Sequence, residues 1–558
     1  MNPLPHNAGF APRLSPKDGW PLPVLVLVLA VWLASVGNIP LWRQLMALPE
    51  ITGARGLLFG LGLGVWLVAV LALLLSPVAW PRVFKPLAVL LLLTTAASTH
   101  FMLAFSVVID ASMLLNVLNT DTREVADLLS LNLLLTLLGV GVLPAWWLWR
   151  QPVRPVKWTR QLGGNAMLLV GGLVVGGLVL VLMFQDFASL MRNHKQVRYL
   201  INPLNSVYAV GRVTADAVPR SQRPLLTVGA DAQLGKSYAN QKQAPFLVLV
   251  VGETARAANF GLGGYTRDTT PRLQALQAQG ELSYFPDVRS CGTNTQASVP
   301  CMFSHLGKAA FEASDDTHET LLDVLHRAGL GVVWIDNQSG CKGVCDRVPN
   351  VETRELKDPT WCAQGECFDE VMLVEMQRQL ASMPTERKAR GVVVVFHQMG
   401  SHGPAYYRRA PESIKAFAPE CTSNALQACT REALVNTYDN SIRYTDHVLA
   451  QTVAWLKQQA TSTALLYVSD HGESLGENNL YLHGLPYALA PVEQKHVPML
   501  TWLSPAMQQR SGIKTACLNT HARRPLTHDN LFHSVLGLMD VQTSAYRPEL
   551  DLFRVCAR

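Results

Sequence analysis

Charge is scarce in this chain: 16% of its 558 residues are Asp, Glu, Lys or Arg, against 49% hydrophobic. That balance excludes a disordered protein and is too apolar for an ordinary soluble enzyme, so part of the chain belongs in a membrane. Neither sign of charge dominates, with Lys plus Arg at 47 against Asp plus Glu at 41, and the surplus of six gives no support to a nucleic-acid binder. Cysteine is missing altogether before Cys291, which is the first of ten. Internal repeats and low-complexity tracts are absent as well.

What is present in the first third is a series of uncharged runs. They lie between Asp18 and Arg43, Arg55 and Arg82, Lys85 and Asp110, Asp127 and Arg150, and Arg160 and Asp186. Each holds at least about 20 mostly apolar residues, enough to cross a hydrocarbon core of about 30 Å as a helix. A cleaved signal peptide is the rival explanation of the first run; its length and the four runs that follow favour a retained anchor. Eight Lys and Arg residues (Arg13, Lys17, Arg82, Lys85, Arg150, Arg154, Lys157, Arg160) fall on one side of these spans. Three (Arg43, Arg55, Arg123) fall on the other, together with Asp110, Asp121, Glu124 and Asp127. The excess puts the N-terminus in the cytoplasm, and an odd number of spans then exports everything beyond Asp186.

Cysteine usage bears on that export independently, because an even number confined to the exported part fits an oxidising compartment. Proximity in sequence suggests the pairs Cys291 with Cys301, Cys341 with Cys345, Cys362 with Cys367 and Cys421 with Cys429, leaving Cys517 for Cys556. A zinc ribbon would want paired Cys-x-x-Cys spacings, which these gaps do not supply. The expected organisation is a transmembrane domain over 1–185, a bridge over 186–244 and a catalytic domain over 245–558. In the bridge, Phe187, Leu190, Met191, Val197, Leu200 and Ile201 alternate with Arg192, His194, Lys195 and Arg198. Such a pattern makes an amphipathic helix lying on the bilayer or a plain connector helix. Pro203, Pro219 and Pro224 then break the chain into an irregular linker.

From Phe246 onward short β-branched runs alternate with helical stretches: FLVLVV (246–251), GVVWID (331–336), GVVVVF (391–396), ALLYVS (464–469) and VPMLTWL (497–503). Continuous apolar runs this far apart predict buried parallel strands joined by helical crossovers, an α/β/α sandwich. Sheets of that kind hold ligands outside the carboxyl ends of their strands. The residues there are polar: Glu253, Asn337-Gln338-Ser339, His397-Gln398-Met399 and Asp470-His471-Gly472-Glu473. Glu253, Asp470 and His471 are N and O donors from two strand ends, the pattern of a zinc site with an open position. Each taken singly is explained as well by a strand-end cap or a surface ion pair; together, with His397, His402 and His483 in similar places, they point to the metal. The stretch SCGTNTQASVPCMF (290–303) adds hydroxyls at Thr293, Thr295 and Ser298 at the expected start of a helix, where N–H groups favour an anion. A plain N-cap explains a threonine there too, and Pro300 limits the regularity of the helix. A bound zinc acidifies oxygen ligands, so metal and hydroxyl explain each other.

These residues carry a resemblance. The combination of ETAR (253–256), SCGTNT with PCMF, GCKGVCDR (340–347), HQMGSHGPAYY (397–407), SDHGESLGE (469–477), LHG (482–484) and DNLFH (529–533) resembles the phosphoethanolamine transferases that decorate lipopolysaccharide. It is most similar to the lipid A group that includes the mobile colistin-resistance enzymes, within the alkaline phosphatase/sulfatase superfamily. The likeness covers nearly the whole chain, five spans included. GLGGY (261–265) departs from the Ser-Leu-Asn-Gly-Tyr type of run usual in relatives, which affects loop detail rather than chemistry.

The resemblance implies Thr295 as nucleophile and zinc-bound hydroxyl, with Glu253, Asp470 and His471 as the other zinc ligands. It implies that His402 and His483 contact the phosphoryl group or a second zinc, and that Lys342 lines the substrate site. Asn116, Thr120 and Glu124 match an Asn, Thr, Glu series in the loop after the third span; at four-residue steps they share a helix face, where a solvated loop face is the alternative. The expected reaction is double displacement: Thr295 takes phosphoethanolamine from phosphatidylethanolamine and passes it to a lipid A phosphate. The implied setting is the bacterial inner membrane, with a periplasmic catalytic domain, lipid substrates, no nucleic acid and a single chain. Lowered outer-membrane charge and polymyxin resistance would follow. Transfer to a core sugar or another glycan, a phosphodiesterase or sulfatase of the same superfamily, and a non-catalytic membrane-bound binding protein are the alternatives.

Overall fold

The computed structural model describes residues 19–48, 51, 53–118, 125–126, 128–215, 224–239, 241, 243–356, 358–363 and 366–557. By contacts the chain divides into two compact units. The first comprises residues up to Leu103, Val108–Asp110 and Leu129–Val210; the second comprises Ala104–Val107, Ala111–Leu128 and Gly211–Arg558.

Among the described residues, five helices are long and apolar enough to cross a membrane: Leu22–Met46, Gly53–Val78, Phe84–Phe105, Leu131–Arg150 and Trp158–Leu182. All five expected spans are therefore present. Small residues let them approach closely, since a Cβ at Gly172 would stand 2.7 Å from the Ala69 carbonyl oxygen. Side chains such as Leu57 and Val181 stay 67% and 75% exposed, as lipid-facing positions should. The amphipathic stretch after the fifth span forms helices Phe184–Asn193 and Lys195–Tyr199. Leu190, Val197 and Ile201 bury their side chains in the core of the spans.

The second unit is built on a seven-stranded sheet. In chain order its strands are β1 (Pro245–Gly252), β2 (Leu282–Phe285), β3 (Gly331–Asp336), β4 (Asn350–Glu352), β5 (Val392–His397), β6 (Ser462–Ser469) and β7 (Met499–Leu503). Their spatial order is β2-β7-β6-β1-β5-β3-β4. The four central strands, β6, β1, β5 and β3, run parallel and every residue in them is buried, which is why they read as unbroken apolar runs. Helices cover both faces. Leu247, Leu249 and Val251 pack on Val299, Leu322 and Phe532, while Phe246 on the other face meets Trp455 at 5.6 Å between ring centroids.

The fifth run departs from expectation. β7 lies antiparallel to β6, with Val468 opposite Met499. A parallel neighbour needs a crossover, usually a helix laid over the sheet, whereas residues 470–498 hold only the hairpin of Ser474–Leu475 with Tyr481–Leu482 and two 3-10 turns, so the chain comes back along the adjacent edge. β2 and β4, the two edge strands, are too short to show as apolar runs.

All five expected cysteine pairs are bridged: Cys291–Cys301, Cys341–Cys345, Cys362–Cys367, Cys421–Cys429 and Cys517–Cys556.

Candidate active site

Strand register assembles the site. Gly252 at the end of β1 is level with Ser469 at the end of β6, and Val251 with His397 at the end of β5. Glu253 and Asp470 therefore leave the sheet side by side, both fully buried. Thr254 takes a left-handed backbone (φ 60°), a conformation that costs a threonine about 1–3 kcal/mol unless its surroundings enforce it. Here Tyr438 donates to the Thr254 carbonyl at 2.8 Å, the Thr254 amide donates to Asp470 Oδ1 at 3.2 Å, and its hydroxyl donates to Glu253 Oε1.

The hydroxyl arrives from a separate loop. Thr295 opens helix α1 (Thr295–Met302), capped by Asn294, whose side chain accepts from the Ala297 amide at 2.9 Å. The loop before the helix is tied on three sides. Gly292 donates to Ser298 Oγ at 2.8 Å, and a Cβ at position 292 would stand 2.7 Å from that of Ala297, so only glycine fits. The Thr293 hydroxyl donates to the Leu485 carbonyl and the Gly484 amide to the Thr293 carbonyl, at 2.6 and 2.8 Å. Buried His528 accepts from the Cys291 amide at 3.0 Å through Nδ1 and donates to the Ser469 carbonyl at 2.9 Å through Nε2, pinning the disulfide loop to β6. Burial lowers its pKa to about 4, so it stays neutral, as those two bonds require.

Four donor atoms converge. Thr295 Oγ1 donates to Glu253 Oε2 at 3.1 Å and lies 3.4 Å from His471 Nε2. The same Nε2 is 3.3 Å from Glu253 Oε1 and 3.4 Å from Asp470 Oδ2. Its Nδ1 donates to the Gly472 carbonyl at 2.9 Å, so Nε2 is the nitrogen that can give an electron pair to a metal once its proton has left.

The electrostatics of this cluster suit a cation. Burial raises Asp470 to about 7, helped by the neighbouring Glu253 charge. Burial opposes ionising Glu253, but the hydrogen bond and charge of His471 outweigh it and hold the carboxyl well below its usual range. His471 loses stability as a cation through burial, yet Asp470 and Glu253 raise it to about 10. Among the described residues Asp470 Oδ2 is buried without a hydrogen-bond partner, a costly state that a metal would relieve. Glu253, Asp470 and His471 each place a ligand atom within 4.8 Å of the others, and as two carboxylates and an imidazole they fit zinc.

The other expected residues divide. The His483 ring lies 4.3 Å from His471 and 5.7 Å from His402, centroid to centroid, so both reach the rim of the cluster. Lys342 donates from Nζ to the Ser339 carbonyl and hydroxyl at 2.9 Å each, in the loop beyond β3. Asn116 sits on a helix, Ala111–Leu118, that packs against α1; on it Met113 Sδ is 3.3 Å from where a Gly484 Cβ would be. Thr120 and Glu124 lie outside the described residues.

Sequence reasoning missed His528 and gave no separate role to Glu473, and the fold sets His397, which it grouped with His402 and His483, against the neighbouring strand. Glu473, raised to about 8 by burial, has Oε2 3.2 Å from His483 Nδ1. His528 stands immediately before the DNLFH stretch, and its acidic pKa and twin backbone bonds exist only in the fold. His397 places Nδ1 2.9 Å from Asp336 Oδ2 on β3.

A parallel-centred α/β/α unit with this cluster at its strand ends defines a sulfatase-class domain, and residues 245–541 match the Sulfatase family model. Residues 67–218 match the model described as phosphoethanolamine transferase EptA/EptB. Among curated relatives, phosphoethanolamine transferase EptA of Escherichia coli (strain K12) is 38% identical over 98% of this chain and 99% of its own length. Phosphatidylethanolamine transferase Mcr-1 of Escherichia coli is 35% identical over 95% of this chain and 97% of its own. The solved integral membrane protein lipooligosaccharide phosphoethanolamine transferase A (EptA) from Neisseria meningitidis superposes with a TM-score of 0.91 at 37% identity, covering 96% of this chain and 99% of that one. The soluble domain of that enzyme, solved separately, matches at 42% identity and a TM-score of 0.57 over 60% of this chain and 99% of the other. The chain belongs to the phosphoethanolamine transferase family and is a multi-pass membrane enzyme.

Proposed function

We propose that this enzyme moves phosphoethanolamine from phosphatidylethanolamine to a phosphate of lipid A through an ester on Thr295. The observation that carries the reading is the convergence of the Thr295 hydroxyl with Glu253, His471 and Asp470, whose Oδ2 has no hydrogen-bond partner among the described residues, at a helix N-terminus. Zinc held by Glu253, Asp470 and His471 supplies, when bound, acidification of the Thr295 hydroxyl and neutralisation of phosphoryl charge.

The hydroxyl proton already points at the Glu253 carboxylate. Thr295 Oγ1 forms the new bond to phosphorus as the bond to the diacylglycerol oxygen breaks, and that oxygen leaves with a proton. In the second half an oxygen of the lipid A phosphate monoanion attacks the same phosphorus as the bond to Oγ1 breaks, and the proton that phosphate gives up passes to Thr295 Oγ1. The N–H groups of the first turn of α1 and the rims at His402 and His483 face the phosphoryl oxygens, and Lys342 neutralises charge from the Cys341–Cys345 loop. Asn116, Thr120 and Glu124 complete the substrate site. Both substrates are lipids, which accounts for a hydrolase-type domain carried on five spans, since tethering raises effective concentration.

The proposed setting is the inner membrane with the N-terminus cytoplasmic and the catalytic domain periplasmic. The Lys and Arg distribution and five disulfides in the second unit support it. The product carries less negative charge, so resistance to cationic peptides such as polymyxin follows.

The test is a mass spectrum of lipid A from a Gram-negative host expressing the wild type beside one expressing Thr295→Ala. A phosphoethanolamine increment on lipid A only with the wild type is the expected result. With expression confirmed, an increment on core sugar instead overturns the acceptor, and no increment anywhere overturns the reaction.

A further inference from the structure

Behind the loop that carries His402 lies a cavity of ≈ 400 Å³ that the transfer chemistry does not use. Its roof is the hairpin of Cys362–Ala363 and Glu366–Cys367, closed by the Cys362–Cys367 bridge. Its inner wall is Met399 and Gly400. Gly400 presses on the backbone of Glu253, with a Cβ at 400 falling 2.6 Å from the Glu253 carbonyl oxygen, so one thickness of backbone separates this cavity from the catalytic cluster.

The lining mixes ring faces with paired charges. Trp361, Phe368, Tyr407 and Tyr444 supply the rings. Glu366, Asp369 and Glu412 are matched by Arg408, Arg409 and Lys415, three against three. A cavity without net charge is unsuited to a bare phosphate or a simple cation. Charges already neutralised in pairs, Arg409 with Glu366 and Lys415 with Glu412, set among aromatic faces, suit a neutral ring whose C–H faces stack and whose hydroxyls add to such pairs: a pyranose. The volume is at the small end of ligand pockets, which run about 300–1,000 Å³, and so matches a mono- or disaccharide rather than a lipid tail.

The cavity is also wired to the site. Arg409 donates from Nε to the His402 carbonyl at 2.8 Å and from Nη1 to Glu366 Oε2 at 3.0 Å. Asp369 accepts from the Met399 and Gly400 amides at 2.8 and 3.1 Å. Resting on the proposed transferase reading, we infer that this cavity is a saccharide subsite that holds a sugar ring of the glycolipid acceptor beside the reaction centre.

The test uses full-length enzyme in detergent, loaded with zinc, and a phosphorylated glucosamine disaccharide without acyl chains as the probe. Calorimetry should show binding to the wild type, weakened about ten-fold or more in Trp361→Ala and Tyr407→Ala. Diacylglycerol release from phosphatidylethanolamine without acceptor should stay within about two-fold of wild type in both variants, because neither residue touches the donor. With wild type alone, the disaccharide should compete with the acceptor and not with the donor. Equal binding by wild type and variants, no binding by wild type, competition with the donor, or a parallel loss of diacylglycerol release would each overturn the subsite. A wild-type enzyme that binds the disaccharide yet releases no diacylglycerol would instead sink the transferase reading, and with it the role of the ring as acceptor.

Discussion

Gly400 rests directly against Glu253: its backbone is left-handed (φ 52°), and a Cβ there would stand 2.6 Å from the Glu253 carbonyl oxygen and 3.1 Å from its amide. The neighbouring Ser401 amide donates to that same carbonyl at 3.0 Å. One glycine thus sets the distance between the loop bearing His402 and the strand end bearing Glu253. Gly400→Ala meets both a strained φ and a backbone clash, and should displace Glu253. The expected outcome is a fall in zinc content and at least a ten-fold fall in transfer, of about 1.4 kcal/mol or more. Wild-type metal content and rate in a folded variant would show that the contact yields.

Thr295→Ala removes the hydroxyl but leaves the Asn294 cap and all three candidate metal ligands. Zinc and folding should survive while transfer drops by about a thousand-fold or more, the scale of losing a nucleophile. Transfer above a vector control would take Thr295 out of the role.

Glu253→Ala and His471→Ala each remove one donor from a fully buried set and leave the others uncompensated. Both variants should lose zinc and activity together, read by elemental analysis of purified protein. A fully metallated and active variant would strike that residue from the ligand set.

Zinc binding should release protons. Without metal, Asp470 is raised to about 7 and His471 to about 10, so near pH 7 the first is partly and the second fully protonated, whereas a ligand must be deprotonated. Apparent zinc affinity should therefore strengthen as pH rises through the Asp470 window. Calorimetry in buffers of different ionisation heat should find roughly one to two protons released per zinc near pH 7. Uptake of protons, or none exchanged, would mean the metal binds elsewhere.

His528→Ala would strip the Cys291 amide and the Ser469 carbonyl of their partner in a buried setting. Leaving two such groups unpaired costs about 2–6 kcal/mol, which should appear as a lowered melting temperature of the catalytic domain. Reduced transfer should accompany it, because the same histidine ties the loop of Thr295 to the strand of Asp470. An unchanged melting temperature would mean water replaces the ring without cost.

Much of this molecule is decided locally. A bilayer demands about 20 apolar residues per helix, so five spans were legible as uncharged runs. The central strands are buried on both faces and so must be continuously apolar, which made β1, β3, β5 and β6 visible as well. Glu253, Asp470 and His471 stood out because strand ends are where such residues gather, whereas Thr295 was one of three hydroxyls at an expected helix start and was singled out by the family resemblance. What the tertiary structure alone decided is long-range register. Thr295 reaches Glu253 across 42 residues and His471 across 176, and His528 reaches Cys291 across 237. The direction of β7, the left-handed turn at Thr254 and the convergence of Asp470 on Glu253 and His471 depend on which strand lies beside which. That choice belongs to the packing of the whole sheet, because a hydrogen bond between distant residues leaves no periodicity in the chain around either of them.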